Sequence, residues 1–281
     1  MISNVCHNPA ETLVIELTYD CNMRCPWCVE ARHVGTKQGP LSPEAFEKIM
    51  KRILERKYKE YVFQGGEPLM YPEHLLEIAD IIADKQPGAK FRVFTNATHL
   101  TYPLVEELNQ RFIQATVSIE PNGYKGINNF ILKHALEPEN AIRNIRLLHE
   151  RCVRTVLTAE KIASGTFADD ILLLHNFLGD IEIEVAMDLT NLQGYTLADM
   201  EALRMQLDKL RSKAPNYSNW LVMLQGFAHR CEQHTDWFIL ETEEFTEKCA
   251  YDKRPASGCA ALWERMSPEV YEAYTEITRR N

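Results

Sequence analysis

Apolar strand-like runs alternate with amphipathic helical stretches along most of the chain, and this order most constrains the fold. The predicted strands are Leu13–Thr18, Tyr61–Gln64, Phe91–Phe94, Ala115–Ile119, Val153–Thr158 and Ile181–Met187. The predicted helices are Ser42–Leu54, Glu73–Lys85, Val105–Gln110, Pro138–Arg151, Asp169–Phe177 and Thr196–Lys213. Such alternation favours a parallel sheet with right-handed crossovers, in sequence order. The prediction is an α/β fold: a partial (β/α)6 barrel of parallel strands with a small C-terminal α+β extension.

The chain changes character after Pro215, where the alternation stops. Three cysteines follow at Cys231, Cys249 and Cys259, and the run Trp237–Leu240 predicts one strand of a hairpin. We therefore predict an N-terminal segment over residues 1–12, the partial barrel over 13–214 and a cysteine-bearing extension over 215–281.

Charge and composition exclude several classes of partner. The 281 residues carry a formal net charge of −9, which disfavours non-specific binding to nucleic acid or to an anionic membrane. The first residues lack the basic start and apolar core of a signal peptide, and no apolar run is long enough to span a bilayer. We predict a cytoplasmic protein, in which the eight cysteines are metal ligands or free thiols rather than disulfides.

The first predicted strand leads into a C-x3-C-x2-C motif formed by Cys21, Cys25 and Cys28, with Trp27 before the last cysteine. Iron–sulfur clusters are held by cysteine thiolates, and three on one loop can bind three irons of a four-iron cluster. No fourth cysteine lies nearby, so one iron would remain open to another ligand. A zinc knuckle and a chance group of buried cysteines are the alternatives. The preceding strand and the aromatic residue favour the cluster.

This motif resembles that of the radical S-adenosylmethionine (SAM) superfamily, C-x3-C-x-aromatic-C after the first barrel strand. The resemblance implies a 4Fe-4S cluster whose open iron binds SAM. The segment Gly65-Gly66-Glu67-Pro68 resembles the superfamily's Gly-Gly-Glu motif, which holds the amino group of the SAM methionine; read alone, it is a turn. Thr95-Asn96 resembles the start of a Thr-Asn-Gly motif; the alternative is that the pair simply caps a turn. Ala97 replaces the glycine there, so the loop cannot copy a positive-φ glycine without strain.

Several single residues are weaker candidates. Ser118 resembles a superfamily position that contacts the SAM ribose or carboxylate, and Glu120 could face the substrate; a solvated strand end is the alternative for both. Lys161 could pair with the SAM carboxylate, although a lone lysine after a strand is usually only solvated. Arg24 and Arg32, near the cysteines, have the same ambiguity.

The tail resembles the auxiliary-cluster region called twitch, a shortened form of the SPASM region. Cys231, Cys249 and Cys259 would then hold an auxiliary iron–sulfur cluster over the open mouth of the barrel, with Cys152 or His234 as an available fourth ligand. A structural zinc site is the rival interpretation, since His229 and His234 bracket Cys231. Three unrelated thiols are the simplest one.

The resemblance also implies a reaction. The reduced cluster would pass one electron to SAM, and the resulting 5′-deoxyadenosyl radical would take a hydrogen atom from the substrate. Auxiliary-cluster enzymes of this kind often oxidise or cross-link ribosomally made peptides. The leading prediction is therefore an oxidoreductase that acts on such a peptide. Dehydrogenation of a small-molecule alcohol or amine is the enzymatic alternative, and an electron-transfer or structural iron–sulfur protein is the non-enzymatic one. A reductant such as flavodoxin or ferredoxin is the implied partner.

Overall fold

The computed structural model describes residues 11–36, 39–119, 135–179, 181–214, 216, 221–223, 234–249, 252–255 and 266–280. Within these ranges ten strands form one sheet: β1 Thr12–Thr18, β2 Glu60–Gly65, β3 Lys90–Thr95, β4 Ile113–Ser118, β5 Arg151–Leu157, β6 Glu182–Met187, β7 Leu221–Met223, β8 His234–Ile239, β9 Glu244–Cys249 and β10 Asp252–Pro255. Their order across the sheet is β10-β9-β8-β1-β2-β3-β4-β5-β6-β7.

The sheet is mostly parallel. Every neighbouring pair from β8 through β1 to β7 runs parallel, whereas β9 is antiparallel to β8 and to β10. The strands β1 to β6 lie side by side in chain order, so the predicted α/β fold is confirmed. β7 was not predicted, because a three-residue strand is too short to show a hydrophobic period.

Eight helices lie in the described ranges: α1 Pro43–Glu55, α2 Pro72–Lys85, α3 Tyr102–Gln110, α4 Ala141–Leu147, α5 Ala159–Ala163, α6 Phe167–Leu178, α7 Leu197–Lys213 and α8 Pro268–Arg280. Local capping explains where two of them begin. Ser42 Oγ accepts a hydrogen bond from the N–H of Ala45 at 3.0 Å, and Thr196 forms a capping box with Asp199.

The predicted helix over 138–151 was wrong at its end. Helix α4 stops at Leu147, and Arg151 already begins β5. The carbonyl oxygen of Glu150 accepts a hydrogen bond from the N–H of Ala115 in β4 at 2.9 Å. Pairing with β4 therefore takes these residues into the sheet.

The two faces of the sheet differ in what covers them. On one face, alternate strand residues such as Ile15 and Phe63 pack against helix residues such as Ile49 and Leu75 in the main core. On the other face a small separate cluster forms from Val14, Val62, Trp237, Ile239 and Phe94. Among the described residues no helix contributes to this cluster, and we call this side of the sheet the helix-free face. Active sites of parallel α/β folds lie at the carboxyl ends of the strands.

The tail is joined to the core through β8. This strand pairs with β1 from Thr12↔Thr235 to Ile15↔Phe238, so its hairpin extends the same sheet. The buried carboxylate of Asp236 strengthens the junction, accepting hydrogen bonds from Arg56 Nη1 at 2.9 Å and from Tyr58 Oη at 2.5 Å. The segment limits 13–214 and 215–281 stay a prediction.

In the part of the chain that the structure describes, no helix combines the length and the apolar character needed to cross a membrane.

Candidate active site

Three loops meet at the carboxyl ends of β1, β2 and β3. The N–H of Gly66 donates to the carbonyl oxygen of Thr18 at 2.6 Å, and the N–H of Glu67 donates to that of Asp20 at 2.7 Å. The N–H of Asn96 donates to Glu67 Oε2, also at 2.6 Å. The loop after β2 therefore joins the loops after β1 and β3, and the three predicted motifs converge at one end of the sheet.

Gly65 and Gly66 allow two main chains to approach more closely than a side chain would permit. A Cβ built on Gly65 would lie 2.1 Å from the carbonyl oxygen of Thr18, and one on Gly66 would lie 2.1 Å from that of Asp20. Gly65 also has a φ of 138°, a conformation that favours glycine. The close approach that the structure shows is to the main chain leading into the cysteine loop.

Cys21, Cys25 and Cys28 carry partly exposed thiols on that loop and form no disulfide. The N–H of Cys28 donates to the carbonyl oxygen of Cys25 at 3.1 Å, and Cys21 Sγ accepts from the N–H of Met23 at 3.3 Å. Burial raises the pKa of the Cys21 thiol, and the nearby charge of Glu67 adds to the rise. A bound cation would offset both effects, because the thiolate is the form that ligates metal.

Three cysteine thiols on one loop are the kind of donors that hold an iron–sulfur cluster. Cys21, Cys25 and Cys28 are the residues that would hold it. Within the described ranges no three His, Cys, Asp or Glu side chains are grouped so that they could hold one metal ion. The cluster ligands stay a prediction.

Glu67 lies buried where the three loops converge, with 1% of its surface exposed. Its Oε1 accepts from Thr95 Oγ1 at 2.6 Å and from the N–H of Leu69 at 3.0 Å, beside the 3₁₀ turn that Pro68 begins. Burial raises the pKa of Glu67 to about 7, against the lowering effect of these donors and of the Asn96 N–H. The carboxylate thus fixes the loop after β3, and its contact with a SAM ammonium stays a prediction.

The loop after β3 contains a left-handed residue that is not glycine. Thr95 Oγ1, which donates to Glu67, accepts a hydrogen bond from the N–H of Ala97 at 2.9 Å. Ala97 has a φ of 58° and is buried. Left-handed backbone costs an L-residue about 1–2 kcal/mol, so the loop keeps the glycine-like conformation under strain.

The other predicted site residues differ in how exposed they are. Trp27 is partly exposed, and Ser118 is exposed at the end of β4. Arg24 is exposed, and its Nη1 donates to the carbonyl oxygens of Cys21 at 2.8 Å and Met23 at 2.7 Å. Arg24 therefore braces the main chain of the cysteine loop.

Lys161 and Arg32 contact the protein itself. Lys161 Nζ donates to Thr155 Oγ1 and to a main-chain carbonyl of β5, both at 3.2 Å. Arg32 Nε donates to Nε2 of the adjacent His33 at 2.6 Å. Glu120 lies outside the described residues.

A charged pair on the helix-free face was missed by the sequence reasoning. Arg154 Nη2 lies 2.8 Å from Glu184 Oε2, and its guanidinium lies 4.3 Å from the centre of the Phe94 ring. Arg154 stands directly opposite Ser118 in the strand register. The sequence signal was the alternation of charged and apolar residues in β5 and β6. Such alternation is typical of a sheet with one face that helices do not cover.

The tail cysteines are only partly placed. Cys231, Cys259 and His229 lie outside the described residues, whereas Cys249 stands opposite His234 across the β8–β9 hairpin. Because β8 is parallel to β1 and begins beside Thr12, this pair lies at the amino end of β1, away from the cysteine loop. The expectation that Cys249 lies over the mouth was wrong.

Cys152, considered above as a fourth ligand for the tail cysteines, lies far from His234 and Cys249 in the sheet. It lies on β5, which four strands separate from β8. It is buried, and burial raises the pKa of its thiol to about 12.

The turn after β8, in contrast, reaches the strand that precedes the cysteine loop. The buried Glu16 accepts at Oε2 from Tyr19 Oη at 2.5 Å and from the N–H of Leu240 at 3.1 Å. Tyr19 Oη in turn accepts from the N–H of Glu241 at 3.2 Å. Burial raises the pKa of Tyr19 well above its usual value, so the phenol stays protonated and keeps donating. The tail thus supports a residue two positions before Cys21.

Fold and site together define an α/β protein with a C-x3-C-x2-C loop at the carboxyl ends of its parallel strands. The family model described as the Radical SAM superfamily matches residues 15–159, and the chain belongs to this superfamily. Membership implies a 4Fe-4S cluster and SAM as cofactors.

Similarity to individual proteins is distant and partial. An uncharacterized protein of Archaeoglobus fulgidus is 30% identical over 123 residues, covering 43% of this chain and 28% of that protein. A PqqA peptide cyclase of Streptomyces rochei is 27% identical over 100 residues, covering 35% of this chain and 26% of the cyclase. The chain therefore spans less than a third of either relative.

Among solved structures, native anSMEcpe with bound AdoMet superposes with a TM-score of 0.59 at 17% identity, covering 77% of this chain and 64% of that chain. The same protein with AdoMet and the Cp18Cys peptide gives the same values. At this identity the likeness shows the shared fold.

Proposed function

We propose that this protein reductively cleaves SAM at a 4Fe-4S cluster held by Cys21, Cys25 and Cys28, and that it takes a hydrogen atom from a ribosomally made peptide, which it oxidises or cross-links. The observation that carries the proposal is the joining of the cysteine loop to the Gly-Gly-Glu loop through two main-chain hydrogen bonds. The PqqA peptide cyclase relatives and the peptide-bound neighbour support a peptide as substrate.

When bound, the cluster and SAM supply the one-electron chemistry. The chain's own residues supply position. Main-chain groups of Gly65–Pro68 and Thr95–Asn96 would hold the methionine part of SAM, and Ser118 would contact its ribose or carboxylate. Trp27 would shield the cluster loop. A soluble reductant of the flavodoxin or ferredoxin kind would supply the electron.

The charged pair on the helix-free face suits a substrate-facing role. Arg154 is partly exposed, with 28% of its side-chain surface accessible, and Glu184 keeps 13%. A peptide carboxylate or main-chain carbonyl arriving beside Ser118 would meet the guanidinium, which cannot be deprotonated in a protein. This supports a polar substrate on that face.

The experiment is to change Cys21, Cys25 and Cys28 together to Ala and to compare anaerobically reconstituted proteins. We expect the triple variant to lose about four irons per chain and to form no 5′-deoxyadenosine from SAM on reduction. The matched control is Cys152→Ala, which removes a buried thiol on β5 and should keep both.

Unchanged iron in the triple variant would refute the cluster assignment. A full cluster in the unaltered protein without any 5′-deoxyadenosine would instead favour an electron carrier. The peptide assignment has its own test: mass spectrometry of a short peptide encoded beside this gene, which should lose two hydrogen atoms after turnover.

We also propose that Cys231, Cys249 and Cys259 bind metal as an auxiliary cluster in the extension. Zinc is the second candidate, since His229 and His234 bracket Cys231 in the sequence and His234 stands opposite Cys249 in the strand register. Metal analysis of the first-loop triple variant distinguishes retained iron from retained zinc.

A further inference from the structure

A closed ring of hydrogen bonds links the loop after β3 to the cysteine loop. Asn96 Nδ2 donates to Asn22 Oδ1 at 3.1 Å, and Asn22 Nδ2 donates to Thr98 Oγ1 at 2.9 Å. Thr98 Oγ1 donates back to Asn96 Oδ1 at 2.6 Å. Each member donates to the next in one direction, an arrangement in which hydrogen bonds polarise and strengthen one another.

The ring fixes which way the Asn96 amide points. The main-chain N–H of Thr98 also donates to Asn96 Oδ1, at 2.9 Å, and a main-chain N–H can only donate. The other end of the amide must therefore be the NH₂ group. One of its hydrogens is used by Asn22 Oδ1, and the second is directed at Cys21 Sγ, where the N···S distance is 3.8 Å.

The remaining partner of the ring is consistent with this assignment. A hydroxyl has one hydrogen to donate and two positions to accept. Thr98 Oγ1 donates to Asn96 and accepts from Asn22, so Nδ1 of His99, at 3.1 Å, occupies the second accepting position as a donor. Burial lowers the pKa of His99, and a neutral ring with its hydrogen on Nδ1 satisfies the contact.

We propose that Asn96 is a positioning residue for the cluster, which it serves by donating an N–H···S hydrogen bond to the Cys21 thiolate and thereby making the cluster easier to reduce. This inference rests on the proposed function. Hydrogen bonds to cluster sulfurs are one of the factors that set reduction potential. The reduced cluster carries one more negative charge than the oxidised one, so a donor aimed at a ligating sulfur stabilises the reduced form more.

The test is a redox titration of the holoprotein without SAM, followed by the electron paramagnetic resonance signal of the reduced cluster. Asn96→Leu removes the donor and fills its space, so that no water replaces the amide. Its main-chain N–H to Glu67 is unaffected. We expect a more negative midpoint potential, with the ratio of reduced to oxidised cluster at a fixed potential falling by up to about tenfold, or roughly 59 mV for one electron.

Thr98→Val supplies a second variant that leaves Asn96 in place. It removes two bonds of the ring but keeps the main-chain Thr98 N–H on Asn96 Oδ1, so we expect a smaller shift in the same direction. The control is Thr116→Val, because Thr116 is fully buried on β4 and its hydroxyl has no hydrogen-bond partner among the residues that the structure describes. Its midpoint potential should equal that of the unaltered protein.

Exchangeable deuterons give an independent readout. Electron–nuclear double resonance after exchange into D₂O should show a deuteron coupled to the reduced cluster that Asn96→Leu loses and Thr116→Val keeps.

Each outcome decides the matter. An unchanged potential in Asn96→Leu at full iron content would overturn the inference while leaving the proposed function intact. If Asn96→Leu assembles no complete cluster, Thr98→Val decides, and a potential equal to that of Thr116→Val overturns the inference. A protein that binds no first-loop cluster at all would instead overturn the proposed function.

Discussion

Replacing the buried carboxylate of Glu67 by an amide should stabilise the protein at high pH and have little effect at low pH. Burial raises the pKa of Glu67 from 4.5 to about 7 in the folded protein. A folded-state pKa above the unfolded value gives stability that is fully present below pH 4.5 and is lost as the pH rises through about 7. The charged side chain thus lowers the free energy of unfolding where the enzyme would work.

The magnitude follows from the size of that shift. One pKa unit corresponds to about 1.36 kcal/mol, so a rise from 4.5 to about 7 corresponds to about 3 kcal/mol. Below pH 4.5 both the protonated carboxyl group and the amide of Glu67→Gln are neutral and face the same donors, which makes the two proteins nearly equal. Above pH 7.5 the variant should be more stable by roughly 3 kcal/mol.

The assay is urea unfolding, monitored by circular dichroism at several pH values from about 4 to 8, with both proteins in the same cluster-free state. The difference between the two free energies of unfolding isolates residue 67 from every other titrating group. Glu77→Gln is the control, because it removes the same charge from a side chain that is exposed on α2. A Glu67→Gln protein that is less stable than the unaltered one at pH 8 would refute the reasoning, since the three donors would then outweigh burial.

Two further predictions concern the loop after β3 and the tail. Ala97→Gly relieves left-handed strain of about 1–2 kcal/mol. In chemical denaturation it should therefore lower the free energy of unfolding by that much less than Ala115→Gly does in the buried strand β4. Equal losses would mean that the loop is unstrained. Changing Cys231, Cys249 and Cys259 to Ala should lower the iron or zinc content found by elemental analysis. It should leave 5′-deoxyadenosine formation intact, because Cys249 lies at the amino end of β1, away from the cysteine loop. Unchanged metal content would mean that these are three unrelated thiols.

Local patterns made the core predictable. The runs that became β1 to β6 have periods that single segments reveal, and the cysteine and Gly-Gly-Glu motifs occupy fixed places after the first two strands. The end of α4 was misjudged because sheet pairing with β4 decided it, and no helical period records that.

The site's hydrogen bonds were not predictable in the same way. The donors to Glu67 come partly from the loop after another strand, and Asn22 meets Asn96 across 74 positions of sequence. Such contacts depend on how two loops meet, and neither loop's sequence carries a periodic signal of it. The hairpin of β8 was predicted from its apolar run, yet its neighbour β1 was not, because pairing between distant strands leaves no local pattern.

That pairing has a consequence for how the chain is made. Leu240, whose N–H binds Glu16, leaves the ribosome 224 positions after it, a delay of about 10–45 s at ordinary rates of synthesis. During this interval β1 has an unpaired edge, the kind of surface on which strands of other chains assemble. The cysteines that follow β1 emerge early, but the support beneath them arrives late. Iron loaded onto a nascent chain would therefore enter a loop that lacks its last anchor. Because slower elongation lengthens the interval in which β1 is unpaired, slowing translation of this chain should increase the amount of aggregate.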